Sequence, residues 1–208
     1  MRGKLNNAVR AVVCVAGVAG AWAGLPGCAT TQKQDPVAMA DTVAQNQLRG
    51  LQLARDAQRQ ADRGDTEQAI ETYKQAVASW REMPAAWNNL GVLLMQEQNY
   101  ADAVGAFKVA ADLSPTDPRP LENIAVCYVR SGWASDALRY YGMSLERDPN
   151  RLESLRGAVR AAEMVRVRDE ATLERIRRAL LVETDERYRE YFERQQQLVS
   201  AAIAGGLP

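Results

Sequence analysis

Residues 84–117 read PAAWNNLGVLLMQEQNYADAVGAFKVAADLSPTD. Counted from Pro84, large apolar residues stand at positions 4 (Trp87), 7 (Leu90) and 24 (Phe107). Small ones stand at 8 (Gly91), 20 (Ala103) and 27 (Ala110), with Pro115 at 32. The frame recurs without insertion over 118–151, where Leu121, Ile124, Ala125 and Tyr128 fall at 4, 7, 8 and 11. Ala137, Tyr141, Ser144 and Pro149 follow at 20, 24, 27 and 32. One period earlier, 50–83 places Leu53, Ala57, Gly64, Ala69, Tyr73 and Ala76 at 4, 8, 15, 20, 24 and 27. That unit departs at two places, with Asp56 at 7 and Arg81 at 32. Small residues mark where two helices approach closely, and large ones fill the space between helices. A single helix pair cannot bury both its faces, so stacked neighbours complete the core.

This large/small/turn pattern resembles the tetratricopeptide repeat, a helix-turn-helix unit of about 34 residues. The resemblance implies an all-α, right-handed α-α superhelix, or solenoid. Its three clear repeats (50–83, 84–117, 118–151) lie within 37–151, and a degenerate helix pair with a long capping helix follows over 152–204. Ser114-Pro115 and Asp148-Pro149 should end the second helices of their repeats, since proline cannot continue them. Asp117-Pro118 should open the next helix with a cap and a preset first residue. Arg63-Gly64-Asp65 reads as a turn, with glycine at a helix end and Asp65 as an N-cap. The first helix should run well upstream, because 37–63 keeps a helical apolar stripe with only Gly50 inside.

After residue 151 the markers fade. Ala171 lands at position 20, but Arg175 and Arg178 take positions 24 and 27. The pattern predicts a seventh helix over 152–167 and a long eighth from Arg168/Asp169 to about Ile203. The apolar stripe of the eighth is Leu173, Ile176, Leu180, Tyr188, Tyr191, Phe192, Leu198 and Ile203. A terminal repeat needs a polar outer face, so this helix reads as a cap. A dimerising coiled coil is the competing reading, with Thr184 and Gln195 interrupting its seam. Residues 205–208 should fray.

The N-terminal 27 residues read as a targeting segment. Arg2, Lys4 and Arg10 precede an apolar run, AVVCVAGVAGAWA, over 11–23, too short for a permanent membrane span. Leu25-Pro26-Gly27-Cys28 then resembles a bacterial lipobox, although Pro26 is not the usual small residue. That resemblance implies cleavage before Cys28, lipidation of its thiol, and residues 28–36 as a polar tether. Several acyl chains would anchor the protein stably. Ala29 after the cysteine resembles the default for the outer membrane, periplasmic face. A plain secretory signal cut after Ala23 is the alternative.

Composition narrows function. The chain has 26 Lys+Arg, 26 Asp+Glu and no His. Loss of residues 1–27 removes three basic residues, leaving 23 basic against 26 acidic, a net −3. No basic face calls for nucleic acid. Without His, and without a glycine-rich phosphate loop or Cys/His spacing, the sequence predicts no catalytic residue, no metal site and no cofactor. In the mature chain Cys127 stands alone beside the lipidated Cys28, so it reads as a small packed residue.

What the repeat resemblance does imply is a concave groove lined by the first helix of each pair. From the first repeat come Gln58 and Asp62, beside Ala54 and Ala61. Asn88, Val92, Met95 and Gln96 come from the second, beside Ala85, and Arg119, Glu122, Val126 and Arg130 from the third, beside Val129. Glu122 and Glu153 need no role beyond surface charge. Such a groove suits an extended or helical peptide of a protein partner. The carboxylate clamp of some cytosolic relatives is a poor match: Asn89 fits one asparagine and Arg119 could replace one lysine, but Ala54, Gln58 and Asn123 do not fit. The expected role is a membrane-anchored scaffold that docks a protein. A scaffold that self-associates through its C-terminal helix is the alternative.

Overall fold

The computed structural model describes residues 36–205, and Cys28, the targeting segment and the last three residues lie outside them. Among the described residues there are nine helices and no strand. They are α1 (Pro36–Asp62), α2 (Thr66–Ser79), α3 (Pro84–Gln96), α4 (Tyr100–Leu113), α5 (Arg119–Arg130), α6 (Ala134–Arg147), α7 (Leu152–Met164), α8 (Glu170–Val182) and α9 (Glu186–Ala204). Each packs on the next, and the odd-numbered helices α3, α5 and α7 also touch in succession. This is the stacked-pair solenoid expected from the repeat.

The clearest sign of the repeat is a backbone one. Positive φ occurs at Gly64 (86°), Gln98 (60°), Gly132 (81°) and Arg166 (58°), each 34 residues after the last. At all four, the left-handed residue donates its N–H back three residues, for example Gly64 to Ala61 and Arg166 to Glu163. The next residue reaches back five: Asp65 to Gln60, Asn99 to Leu94, Trp133 to Tyr128 and Val167 to Ala162. That double bond is the Schellman closure, which satisfies carbonyls left open at a helix end. Two of the four sites lack glycine, and a side chain in that region costs about 1 kcal/mol. Gln98→Gly and Arg166→Gly are therefore expected to raise stability by about 0.5–1 kcal/mol each, read as higher urea midpoints.

Asp65 stands at the N-cap of α2, but its side chain makes no cap bond and instead accepts from Arg63 Nε at 3.2 Å. Asp117 accepts from the Arg119 N–H at 3.0 Å from one residue further out, since Pro118, expected as the first helical residue, stands at the N-cap of α5. The core follows the frame. Tyr73, Phe107 and Tyr141 at position 24 are buried between Ala69, Ala103 and Ala137 at 20 and Ala76, Ala110 and Ser144 at 27. Gly50 lets α1 cross the end of α2, since a Cβ there would sit 2.9 Å from Trp80 Cβ.

The C-terminal third corrects the sequence reading in three ways. First, the eighth helix is two. α8 ends at Val182 and α9 begins at Glu186, with Asp185 accepting from the Arg187 N–H at 3.0 Å as its cap. Second, the repeat does not fade; it slips by one residue. Thr172, Ile176 and Ala179 are buried with the spacing of Ala69, Tyr73 and Ala76, while Ala171 is exposed. The slip follows from Arg168 and Asp169, which lengthen the turn after Val167, and Asp169 caps α8 by accepting from the Thr172 N–H at 2.8 Å. Third, the buried face of α9 is Phe192, Val199 and Ala202, whereas Leu198 and Ile203 are exposed. α9 lies on α8.

Candidate functional site

The odd-numbered helices present one common face. On it, Gln58 of α1 and Asn89 of α3 meet across the first two repeats. Gln58 Oε1 accepts from Asn89 Nδ2 at 3.0 Å and from the Tyr73 hydroxyl at 2.9 Å, while Gln58 Nε2 donates to Asp62 at 2.8 Å. Asn89 Nδ2 lies 3.1 Å from the same hydroxyl. Burial pushes the Tyr73 phenol above its ordinary pKa and Asp62 adds to that, so it remains a donor. The result is a fixed shelf of amides on a surface that mixes apolar residues with Arg55, Asp62, Glu82 and Gln96.

A cavity lies on each side of the shelf. One, of about 400 Å³, is walled by Leu51, Ala54, Trp80, Met83 and Ala85, and the other, of about 230 Å³, by Ala61, Asp62, Val92 and Gln96. Gln58, Tyr73 and Asn89 border both. Four of the residues expected in the groove, Gln58, Asp62, Val92 and Gln96, thus come together. Asn89 is not among the expected lining residues. Its position 6 in the repeat points back at the preceding first helix, and that spacing is the signal that could have found it.

The remaining expected residues divide. Asn88 accepts from Asn123 at 3.1 Å, tying α3 to α5, and Met95 and Val126 are half-buried against the core. Arg119 is exposed and paired with Asp117 at 2.8 Å within one turn, and Arg130 is exposed on α5. Glu122 is a correction. It is only 9% exposed, and its two oxygens accept from Arg151 Nε at 2.7 Å and Nη2 at 3.1 Å. Ser154 donates to it at 2.7 Å, and Ser144 stands 2.8 Å behind Ser154. The carboxylate locks repeat three onto α7, and both its oxygens are already taken by Arg151 and Ser154. The fold turns it inward because position 5 here meets the start of the next first helix.

Cys127 is buried, and loss of hydration pushes its thiol up to about 11, which suits packing and not reactivity. Among the described residues no group of acids or cysteines is disposed to hold a metal ion, and no helix is long and apolar enough to cross a membrane.

Residues 53–118 match the Tetratricopeptide repeat family profile. MamA 41-end from Desulfovibrio magneticus RS-1 is similar in structure, with a TM-score of 0.61, 15% identity, and coverage of 76% of this chain and 92% of that one. A crystal structure of MamA protein gives 0.59 at 21% identity, covering 70% and 76%. The first TPR of Spaghetti (RPAP3), bound to the HSP90 peptide SRMEEVD, gives 0.54 at 16% identity, covering 57% and 94%. Identities this low establish the fold alone. A comparison with curated proteins returns no match. The described chain is an all-α tetratricopeptide-repeat solenoid.

Proposed function

We propose that the chain is a lipid-anchored periplasmic scaffold that docks a peptide segment of a protein partner in the groove of its odd-numbered helices. The observation that carries this is the amide shelf of Gln58, Tyr73 and Asn89 between two cavities. Side-chain amides held in place can pair with a peptide backbone, and the flanking cavities can take alternate side chains. The RPAP3 domain of like fold is bound to a peptide in its solved complex, which supports peptide docking by this chain. Anchoring through Cys28 at the outer membrane would raise the local concentration of the scaffold near envelope machinery, of the secretin, outer-membrane or peptidoglycan kind. Self-association through the C-terminal helix has less to work with, because Phe192, Val199 and Ala202 are already buried within one chain.

The test pairs two variants of the full chain in its native envelope. Asp62→Lys with Gln96→Lys changes exposed groove residues and is expected to weaken cross-linked partner capture roughly tenfold with native circular dichroism. Unchanged capture would refute the groove. Cys28→Ala is expected to lose incorporation of a clickable fatty acid and to release the protein from membranes. Persisting label would refute the anchor.

A further inference from the structure

Gln58 and Asn89 stand 31 residues apart, as positions 9 and 6 of successive repeats. The same pair recurs along the groove as Val92 and Asn123 and as Val126 and Gly157, and beyond the one-residue slip Arg160 and Tyr191 line a common cavity. The groove therefore passes from the amides of Gln58 and Asn89, along Val92, Asn123, Val126 and Gly157, to an arginine-lined end. At that end a cavity of about 420 Å³ is lined by Arg160 of α7 and by Arg187, Tyr188 and Tyr191 of α9.

Two positive charges and no negative one line this cavity, in a mature chain whose predicted net charge is negative. Three acids stand nearby, of which only Glu183 bonds away from the lining, while Glu163 and Asp185 bond to the lining residues Tyr191 and Arg187. Glu183 holds Arg156 at 2.7 Å, and Glu163 accepts from Tyr191 at 2.8 Å and from Gln195 at 2.9 Å. Arg187 donates to Asp185 at 3.4 Å in an ion pair, but its side chain is 91% exposed, and an exposed pair of this kind is weak enough to exchange for another carboxylate. Arg160 makes no ion pair among the described residues. Tyr188 is fixed beneath Arg156, whose guanidinium carbon lies 4.0 Å from the ring centroid. Planar guanidinium groups recognise carboxylates through two parallel hydrogen bonds, and rigid tyrosines add contact area at small entropic cost.

We infer that this pocket binds an aspartate or glutamate side chain of the docked peptide, so that the groove selects acidic segments. The inference rests on the proposed peptide groove and names what its far end selects.

The test uses the full chain and a random dodecapeptide library with both termini blocked. Selected peptides are remade with Asn or Gln for each Asp or Glu, and binding is followed by fluorescence anisotropy. Wild type is expected to enrich acidic peptides and to bind their amide versions roughly tenfold more weakly. Arg160→Glu with Arg187→Glu should abolish that difference and leave the amide versions unaffected. The pair Arg160→Gln and Arg187→Gln guards against misfolding, with circular dichroism as control. Selected peptides without an acid preference, or equal weakening of acidic and amide versions, would overturn the pocket and leave the groove standing. If a library with free C-termini alone shows carboxylate dependence, the terminus is the ligand and the side-chain assignment falls. Failure of both libraries to bind overturns the groove and the pocket together.

Discussion

Replacing Glu183 by alanine is expected to lower stability by about 3 kcal/mol, and thermal unfolding by roughly 6–12 °C for a chain of this size. The side chain of Glu183 is fully buried, and that of its partner Arg156 is 27% exposed. Its two oxygens accept from Arg156 Nε and Nη2, both at 2.7 Å, and one also accepts from the N–H groups of Thr184 and Asp185 at 2.9 and 2.8 Å. One carboxylate therefore joins α7 to the break between α8 and α9. Its loss strands a guanidinium and two amide donors, and leaving such groups unpaired is what makes breaking a buried pair costly. Because a solenoid couples only nearest neighbours, the damage should concentrate on α9. Amide exchange over 186–204 should quicken well before exchange in α3 or α4. Uniform acceleration along the chain would refute this local role.

The same residue sets an acid limit. Hydrogen bonds from Arg156, and lesser ones from Asp185 and Thr184, outweigh desolvation and hold its carboxyl below the usual glutamate range. A group whose folded pKa is depressed contributes stability above its unfolded pKa and loses it as pH falls through the folded one. Wild type should thus be fully latched at neutral pH and weaken on acidification below the ordinary glutamate range. Glu183→Gln should be weaker at neutral pH and flatter with pH over that window.

The sequence carried the repeat because its markers are short-range packing rules. A small residue at 8, 20 or 27 and a ring at 24 report one helix pressed on the next. What stayed hidden depended on single residues acting across long separations in the chain. Glu183 reads as one more exposed acid on a charged helix until its bonds to Arg156 and the next two amides are seen. Glu122 reads likewise until Arg151 and Ser154 close on it. The break at 183–185 left no proline or glycine to announce it, since a carboxylate does the capping. The one-residue slip at Arg168-Asp169 moved Thr172, Ile176 and Ala179 out of the counted frame, and so concealed the fourth repeat and the arginine-lined end of the groove. Carrying the left-handed position from 64, 98 and 132 on to 166 would have exposed it, but neither Gln98 nor Arg166 has the glycine that makes such a position visible.

Phe107→Ala is expected to cost about 3–5 kcal/mol, the range for a large aromatic removed from a closed core. The ring is fully buried on α4 and faces Gly91 on α3. A Cβ added at Gly91 would lie 2.6, 2.7 and 2.9 Å from Cε1, Cδ1 and Cζ of that ring. With no solvent at its back, the ring has little room to retreat. Gly91→Ala alone should therefore be destabilising by about 1–2 kcal/mol, the overpacking cost less the gain in helix propensity. The two losses should not add. Once Phe107 is alanine, the new methyl at 91 enters the space the ring vacated, and only the propensity gain remains. The double variant should then be more stable than Phe107→Ala by up to about 1 kcal/mol, a favourable coupling of roughly 2 kcal/mol measured by urea unfolding of all four proteins. Strict additivity would show that ring and glycine do not share one packing site. Positions 8 and 24 would then lose their packing basis, and with it the periodicity that relates each helix pair to the next would lose its physical cause.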